Sequence, residues 1–245
     1  MLRSLNEVMG YRISATDKDV GKVADFYFDD AALVVRYLVV DTGGWLSGRQ
    51  VLISPESMGE PEWSAQRLPL SLSSEQIEKS PPVSADRPVS RQQEAALADY
   101  YRWAPYWPVA GMGAPVAVPV RSAGTAKEKK EDRGDPHLRS VNEVIGYRIR
   151  AASREIGKVD DVIADTDDWT IRYLVADIGS WLAGRKVLVS PGWITHISWH
   201  DRQMQTDLDP AVIEGSPEYD PSSLVNREYE MRLYDYYGRP RYWRE

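Results

Sequence analysis

Three short apolar runs dominate the first half of the chain. GKVADFYFD (Gly21–Asp29), VVRYLVVDT (Val34–Thr42) and RQVLISP (Arg49–Pro55) are rich in β-branched and aromatic residues and are separated by Asp, Gly and Ser clusters. That pattern predicts strands. The DDAAL connection, like TDDW further on, is short enough for a hairpin, and TGGWLSG suits a slightly longer loop. In RYLVVD, Tyr37 and Val39 alternate with Leu38 and Val40, so both faces are apolar and the strand should be central, covered on both sides. Later, WITHISWHDRQMQTDLD (Trp193–Asp209) reads as a further strand pair. SSEQIEKSP and DPAVIEGSP each predict one short helix stopped by proline. SRQQEAALADYY carries a capping-box pattern, Ser90 with Gln93 three residues on, and Leu97 and Tyr101 share a helical face, as do Leu233 and Tyr237. The fold class expected is mainly β with α appendages: small antiparallel barrels, closed to remove strand edges, each followed by short C-terminal helices.

The plural comes from a repeat. WLSGRQVLISP (Trp45–Pro55) returns as WLAGRKVLVSP (Trp181–Pro191), and a shift of 136 aligns residues 2–109 with 138–245 without a gap. LRSLNEVMGYRI meets LRSVNEVIGYRI, RYLVVDTGGWL meets RYLVADIGSWL, and at the far end DYYRWAPYW meets DYYGRPRYW. Each copy has the size of one independent domain, so the expected organisation is a first domain over 1–109, a linker over 110–137 and a second domain over 138–245. The linker, rich in Gly, Ala and Pro and then in mixed charge, cannot bury enough apolar surface to offset its ordering entropy.

Composition narrows the chemistry. The 245 residues include no cysteine, which excludes disulfides, iron–sulfur clusters and thiol catalysis. A net charge of −7 argues against broad nucleic-acid binding. No run approaches the ~18 apolar residues of a membrane helix, and the opening residues lack the apolar stretch of a secretory signal, so a cytoplasmic protein is expected. GMGAPV at Gly111 follows no strand and lacks a third glycine, so it is no dinucleotide motif. DTDDWT at Asp165 has Thr170 and Ala176 where a calcium loop needs Gly and Glu; a hairpin turn is expected there. His196 and His200 on one strand would lie ~13 Å apart, too far for one metal ion. No catalytic set and no cofactor are expected.

Some residues repeat in both copies. Asp25 and Asp29 recur as Asp161 and Asp165, and fit hairpin-flanking or ion-pair roles better than an acid–base pair. Arg36/Arg172, Asp41/Asp177 and Arg49/Arg185 form either internal Arg–Asp bridges pinning the loops or a partner-facing ionic patch. Trp45 and Trp181 lie in the same loop, as anchors on the core or as interface hot spots. The aromatic tails, with Tyr101 and Trp107 in one copy and Tyr237 and Trp243 in the other, are expected to dock on the barrel of their own or the other copy.

The stretches VGKVADFYFDD…VRYLVVDTGGWLSGRQVLISP and IGKVDDVIADTDDWTIRYLVADIGSWLAGRKVLVSP resemble the PRC-barrel domain. That family includes the cytoplasmic domain of the photosynthetic reaction-centre H subunit and the C-terminal domain of the ribosome maturation factor RimM. The resemblance implies a non-enzymatic scaffold that binds protein partners. The repeated loop and tail residues Trp45, Arg49, Trp181, Arg185, Tyr101, Trp107, Tyr237 and Trp243 are the partner-contact candidates to test. A soluble relative of the H subunit at a membrane electron-transfer complex is the second expectation, and an RNA-processing or ribosome-assembly factor the third. The membrane helix of the H subunit and the RNA-associated domain of RimM have no counterpart in this sequence. Duplication itself suggests pairing of the two domains within one chain, with the aromatic tails at the contact, since a linker of this length spans ~25–30 Å.

Overall fold

The computed structural model describes residues 1–46, 48–81, 89, 91–107, 138–179 and 184–243. The linker expected over 110–137, the cap expected at Ser90 and the loop residue Trp181 lie outside the described residues. In the first copy the elements are β1 (Leu2–Ser4), α1 (Leu5–Val8), β2 (Arg12–Ser14), β3 (Asp19–Asp29), β4 (Val34–Asp41), β5 (Gln50–Ile53), β6 (Arg67–Pro69), α2 (Ser74–Glu78) and α3 (Arg91–Tyr101). In the second they are β7 (Leu138–Ser140), α4 (Val141–Val144), β8 (Arg148–Ala151), β9 (Arg154–Asp165), β10 (Ile171–Asp177), β11 (Lys186–Val189), β12 (Ile194–Ser198), β13 (Gln203–Thr206), α5 (Pro210–Glu214) and α6 (Arg227–Tyr237). The three strands expected from the first apolar runs and the strand pair expected over Trp193–Asp209 are all present.

The chain forms two compact units, and they do not follow the repeats. One consists of Met9–Arg139; the other combines Met1–Val8 with Ser140–Glu245. The division expected at 1–109 and 138–245 therefore differs at its ends: each barrel is built with the opening strand of the other copy.

In the unit Met9–Arg139 the strand order is β5-β4-β3-β2-β6, with β7 added on β3. β3 is central, running antiparallel to β4 from Lys22↔Asp41 to Asp29↔Val34 and to β2 around Arg12↔Lys22. The unit is not wholly antiparallel. β6 lies parallel to β2, Ile13 opposite Leu68, because the chain first crosses over through turns at Pro55–Ser57 and Trp63–Ala65. Tyr37, Leu38, Val39 and Val40 are all buried, as two apolar faces require. Where β3 passes the end of β4 the residue is Gly21, at φ 152°, where a Cβ would sit 2.2 Å from the Asp41 carbonyl oxygen.

The second unit repeats this plan, in the order β11-β10-β9-β8-β13-β12, with β1 on β9 and with β13 parallel to β8. Gly157 occupies the place of Gly21, and its Cβ would meet the Asp177 carbonyl at 2.1 Å. The TDDW stretch is a hairpin turn, closed by Asp165 N–H donating to the Thr170 carbonyl at 2.8 Å. α2 and α5 are the short helices expected before the proline stops, and α3 and α6 bury Leu97 and Leu233.

The exchanged segment is described most fully on β9. β8 occupies one half of one β9 edge, up to Arg148↔Lys158, and β1 continues along the remainder: Leu2↔Asp165, Arg3↔Ala164, Ser4↔Ile163. α1 then turns Leu5 and Val8 inward, so that Leu2, Leu5 and Val8 are 6%, 1% and 1% exposed. Burying these side chains contributes roughly 1.5–3 kcal/mol apiece. Fixing the segment's backbone costs roughly 1–2 kcal/mol per residue. Over the seven residues that cost matches or exceeds the gain from three side chains, so polar contacts must add to what holds the segment.

Candidate interaction surface

Those polar contacts converge on Asp161. Its carboxylate accepts from the Ser4 hydroxyl, from Asn6 N–H at 3.1 Å and from its neighbour Val162 N–H at 2.6 Å. Ser4 Oγ in turn accepts Glu7 N–H at 2.9 Å, starting the α1 turn, and Asn6 Nδ2 donates to the Asp160 carbonyl at 3.0 Å. Burial, which outweighs these hydrogen bonds, raises the Asp161 carboxyl above the usual range. The repeated aspartate at this position thus clasps an element from the other copy rather than flanking a hairpin on the surface.

The repeated arginines have a different task from the one their spacing suggested. Arg49, where the Trp45 loop runs into β5, donates through Nη2 to the Ile77 carbonyl at 3.2 Å, the Ser80 carbonyl at 3.0 Å and Ser80 Oγ at 2.6 Å. Arg185 donates likewise to the carbonyls of Glu214 and Ser216. The last carbonyls of a helix lack intrahelical donors, and a guanidinium suits both their geometry and their partial charge. Asp41 and Asp177, the aspartates expected to bridge these arginines, instead accept backbone N–H groups of the turns after their strands, Gly43 at 2.8 Å and Gly179 at 3.1 Å. The expected Arg–Asp bridge is therefore corrected: both partners are engaged, with backbone groups. Arg36 and Arg172 do meet carboxylates, Asp29 at 3.8 Å and Asp168 at 2.6 Å, within their own hairpins.

Trp45 stands in a 3-10 turn, Gly43–Leu46. The turn is tied down on both sides. Thr42, buried, donates its hydroxyl to the Arg49 carbonyl at 2.5 Å, and Gly48 N–H donates to the Gly43 carbonyl at 2.6 Å. The indole is half-buried, with Lys18 Nζ 4.5 Å from the ring centroid, a distance at which the ammonium is attracted by the ring face.

The aromatic tails pack on the barrel of their own unit. Tyr101 stacks on Trp103 with centroids 4.2 Å apart, and the Trp103 indole N–H donates to Ser57 Oγ at 2.8 Å. Tyr237 has a corresponding partner from the opposite direction: Trp193, 4.6 Å away, stands where the first copy has Ser57, while Arg239 stands where it has Trp103. Each of these tyrosines therefore has an indole against it, carried by the tail in one copy and by the turn before β12 in the other. Burial pushes the Tyr101 and Tyr237 hydroxyls up to about 12.

A second tail contact involves residues that sequence inspection missed. Glu94 and Glu230, 0% and 2% exposed, sit in the first turn of α3 and α6. Glu94 accepts the hydroxyls of Tyr37 at 3.0 Å and Tyr106 at 2.6 Å. Glu230 accepts those of Tyr173 and Tyr242, both at 2.7 Å, and pairs with Arg227 at 2.9 Å. Burial first, and then the neighbouring Tyr234 and Glu230, drive the Tyr173 hydroxyl far above its ordinary value. Arg36 stacks over Tyr106 at 4.0 Å and Arg172 over Tyr242 at 4.4 Å. Trp107 makes an edge contact with Tyr106, and Trp243 with Tyr234 and Tyr242. A barrel tyrosine, a helix carboxylate and a tail tyrosine thus close each tail. The recurrence of all three residues at the repeat spacing, with each Glu three positions before the buried leucine, was the available signal.

Among the described residues no group of three or more His, Asp or Glu is placed to hold a metal ion; His196 lies on β12 and His200 in the turn after it. Two β-rich barrel units made by duplication, each holding a buried Tyr–Glu–Tyr contact, define a tandem small-barrel protein. Its sequence matches the PRC-barrel domain over residues 3–61 and 136–212, more than half of the chain, so the protein belongs to the PRC-barrel domain family. A comparison with curated proteins returns no match. The first matched stretch includes the opening segment that completes the second copy's barrel.

Proposed function

We propose that the protein is a non-enzymatic interaction module of the cytoplasm, needing no cofactor, whose barrels present the Trp45 loop and its counterpart at Trp181 to a protein partner. The observation that carries this reading is the framing of Trp45. Its loop is pinned by Asp41, Thr42 and Arg49, yet the indole stays half-buried beneath a lysine. A rigid loop that holds a large amphipathic ring at the surface loses little entropy on binding, which is what makes tryptophan effective at interface centres. Arg49 and Arg185 tie the starts of β5 and β11 to the carbonyls at the ends of α2 and α5, and the tail aromatics Tyr101, Trp107, Tyr237 and Trp243 support each unit's own packing. The net charge of −7 favours a protein partner over nucleic acid.

The test is capture of partners from the native cell with the full chain as bait, beside Trp45→Ala and Trp181→Ala chains of unchanged thermal stability. Loss of the same prey from both variants supports the proposal. Prey retained equally by all three chains overturns it. Recovery of membrane electron-transfer subunits would align the protein with relatives of the reaction-centre H subunit, and recovery of ribosomal proteins with an assembly role.

A further inference from the structure

The β9 edge beyond β8 is filled by a short segment whose chemistry the chain carries twice. Residues 2–8 read Leu-Arg-Ser-Leu-Asn-Glu-Val and residues 138–144 read Leu-Arg-Ser-Val-Asn-Glu-Val. Every group that docks residues 2–8 on β9 has its counterpart in the second segment. The backbone pairing from Leu2↔Asp165 to Ser4↔Ile163 is indifferent to side chains. Leu2, Leu5 and Val8 correspond to Leu138, Val141 and Val144, all buried. Ser4 and Asn6, which bind Asp161 and Asp160, correspond to Ser140 and Asn142. β7 occupies the matching edge of β3, with Arg139 bonded to Asp30 at 3.4 Å.

We infer that the β9 edge, with its Asp161 clasp, is a strand-acceptor site for the Leu-Arg-Ser-(Leu/Val)-Asn-Glu-Val segment, and that it takes this segment from a second copy of the chain as well as from its own residues 2–8. Two features make the docked segment replaceable. It is short, one three-residue strand and one helical turn. It is also uncovered on one flank, where Leu2, Arg3, Ser4 and Glu7 line an open crevice of about 300 Å³ against the loop around Leu224, itself 50% exposed. Within one chain the segment acts at an effective concentration in the ~mM range, so the chain's own copy fills the edge in dilute solution. A second copy fills it when the chain's own segment is prevented from docking.

The experiment uses two full-length variants. Leu5→Asp spoils the segment and leaves the acceptor; Asp161→Ala weakens the acceptor and leaves the segment. Each alone should run as a monomer on size exclusion, and an equimolar mixture should form a one-to-one heterodimer. A fluorescent Leu-Arg-Ser-Leu-Asn-Glu-Val peptide should bind the Leu5→Asp chain at least about tenfold more tightly than the wild type, whose edge is filled. Adding Asp161→Ala to that chain should weaken peptide binding by about tenfold or more, the effect of losing hydrogen bonds to a charged group. A folded Leu5→Asp chain that neither binds the peptide nor pairs with the Asp161→Ala chain overturns the inference. Should Leu5→Asp fail to fold, the wild-type chain decides: a peptide with photo-leucine at its Leu5 position, added at millimolar concentration to match the effective concentration of the chain's own segment, must crosslink to β9, and crosslinks absent from or scattered away from β9 overturn it.

Discussion

Replacing Glu230 isolates the contribution of the tail closure. In Glu230→Ala, Tyr173 is left with a buried hydroxyl and no acceptor, while Tyr242, 38% exposed, regains water. One fully orphaned hydroxyl costs about 1–3 kcal/mol, and the lost side-chain packing adds to it, so a total near 3 kcal/mol is expected. Glu230→Gln keeps an acceptor oxygen for one tyrosine but loses the charge that strengthens both bonds and the pairing with Arg227; about 1–2 kcal/mol is expected. Glu228→Ala, an exposed acid two positions earlier, serves as the control and should stay within about 0.5 kcal/mol of wild type. Urea unfolding of the full chain, followed by circular dichroism and tryptophan fluorescence, reads the ranking. Ala and Gln variants both within about 0.5 kcal/mol of wild type would refute a structural role for the buried carboxylate.

Three further outcomes follow from the same contacts. Gly157→Ala should destabilise by more than about 2 kcal/mol, because its Cβ meets the Asp177 carbonyl at 2.1 Å, whereas Gly184→Ala, whose nearest neighbour is 3.8 Å away, should be tolerated far better in the same urea assay. Asp161 binds its proton more tightly in the folded chain than in the unfolded one, so its contribution to stability is fully present below the ordinary carboxyl value of 3.8 and declines as the pH rises through its raised folded value; wild-type stability measured relative to Asp161→Asn should fall over that window, and a flat difference would contradict the assignment. Trp193→Ser should cost about 3–5 kcal/mol, and adding Arg239→Trp, which recreates the first copy's Ser57–Trp103 arrangement, should restore at least half of it by thermal melting.

The strands were legible because alternation and β-branching are local properties, and the duplication because two copies can be read against each other. The exchange of opening segments was not legible, for the same reason that makes it possible: LRSLNEV and LRSVNEV fit either barrel, so the sequence does not say which barrel each segment completes. The arginine roles were half legible. Arg49 and Arg185 are internal, but their acceptors are carbonyls, and backbone groups leave no mark in residue identity. Glu94 and Glu230 were hidden by a convention, since a carboxylate near an apolar stripe is normally assigned to the solvent side. The indole sites were hidden by alignment itself. Ser57 against Trp193 and Trp103 against Arg239 look like two unrelated differences until each indole is seen to pack on the corresponding tyrosine, Tyr101 or Tyr237. The parallel pairing of β6 with β2 and of β13 with β8 depends on a crossover path that strand patterns do not encode.

The crossed opening segments bind the genetic fate of the two repeats together. A lesion in the codons for residues 2–8 lies in the first repeat but is felt in the second barrel, while one in those for Leu138 and Arg139 is felt in the first. Divergence is coupled the same way: the opening segment must keep pace with β9 rather than with β3, its neighbour in the gene. Once each repeat has drifted to suit the strand it receives, splitting the gene at the linker yields two polypeptides that each carry the other's missing edge. The duplication is thereby hard to reverse, because neither half can leave without taking part of its sister's fold.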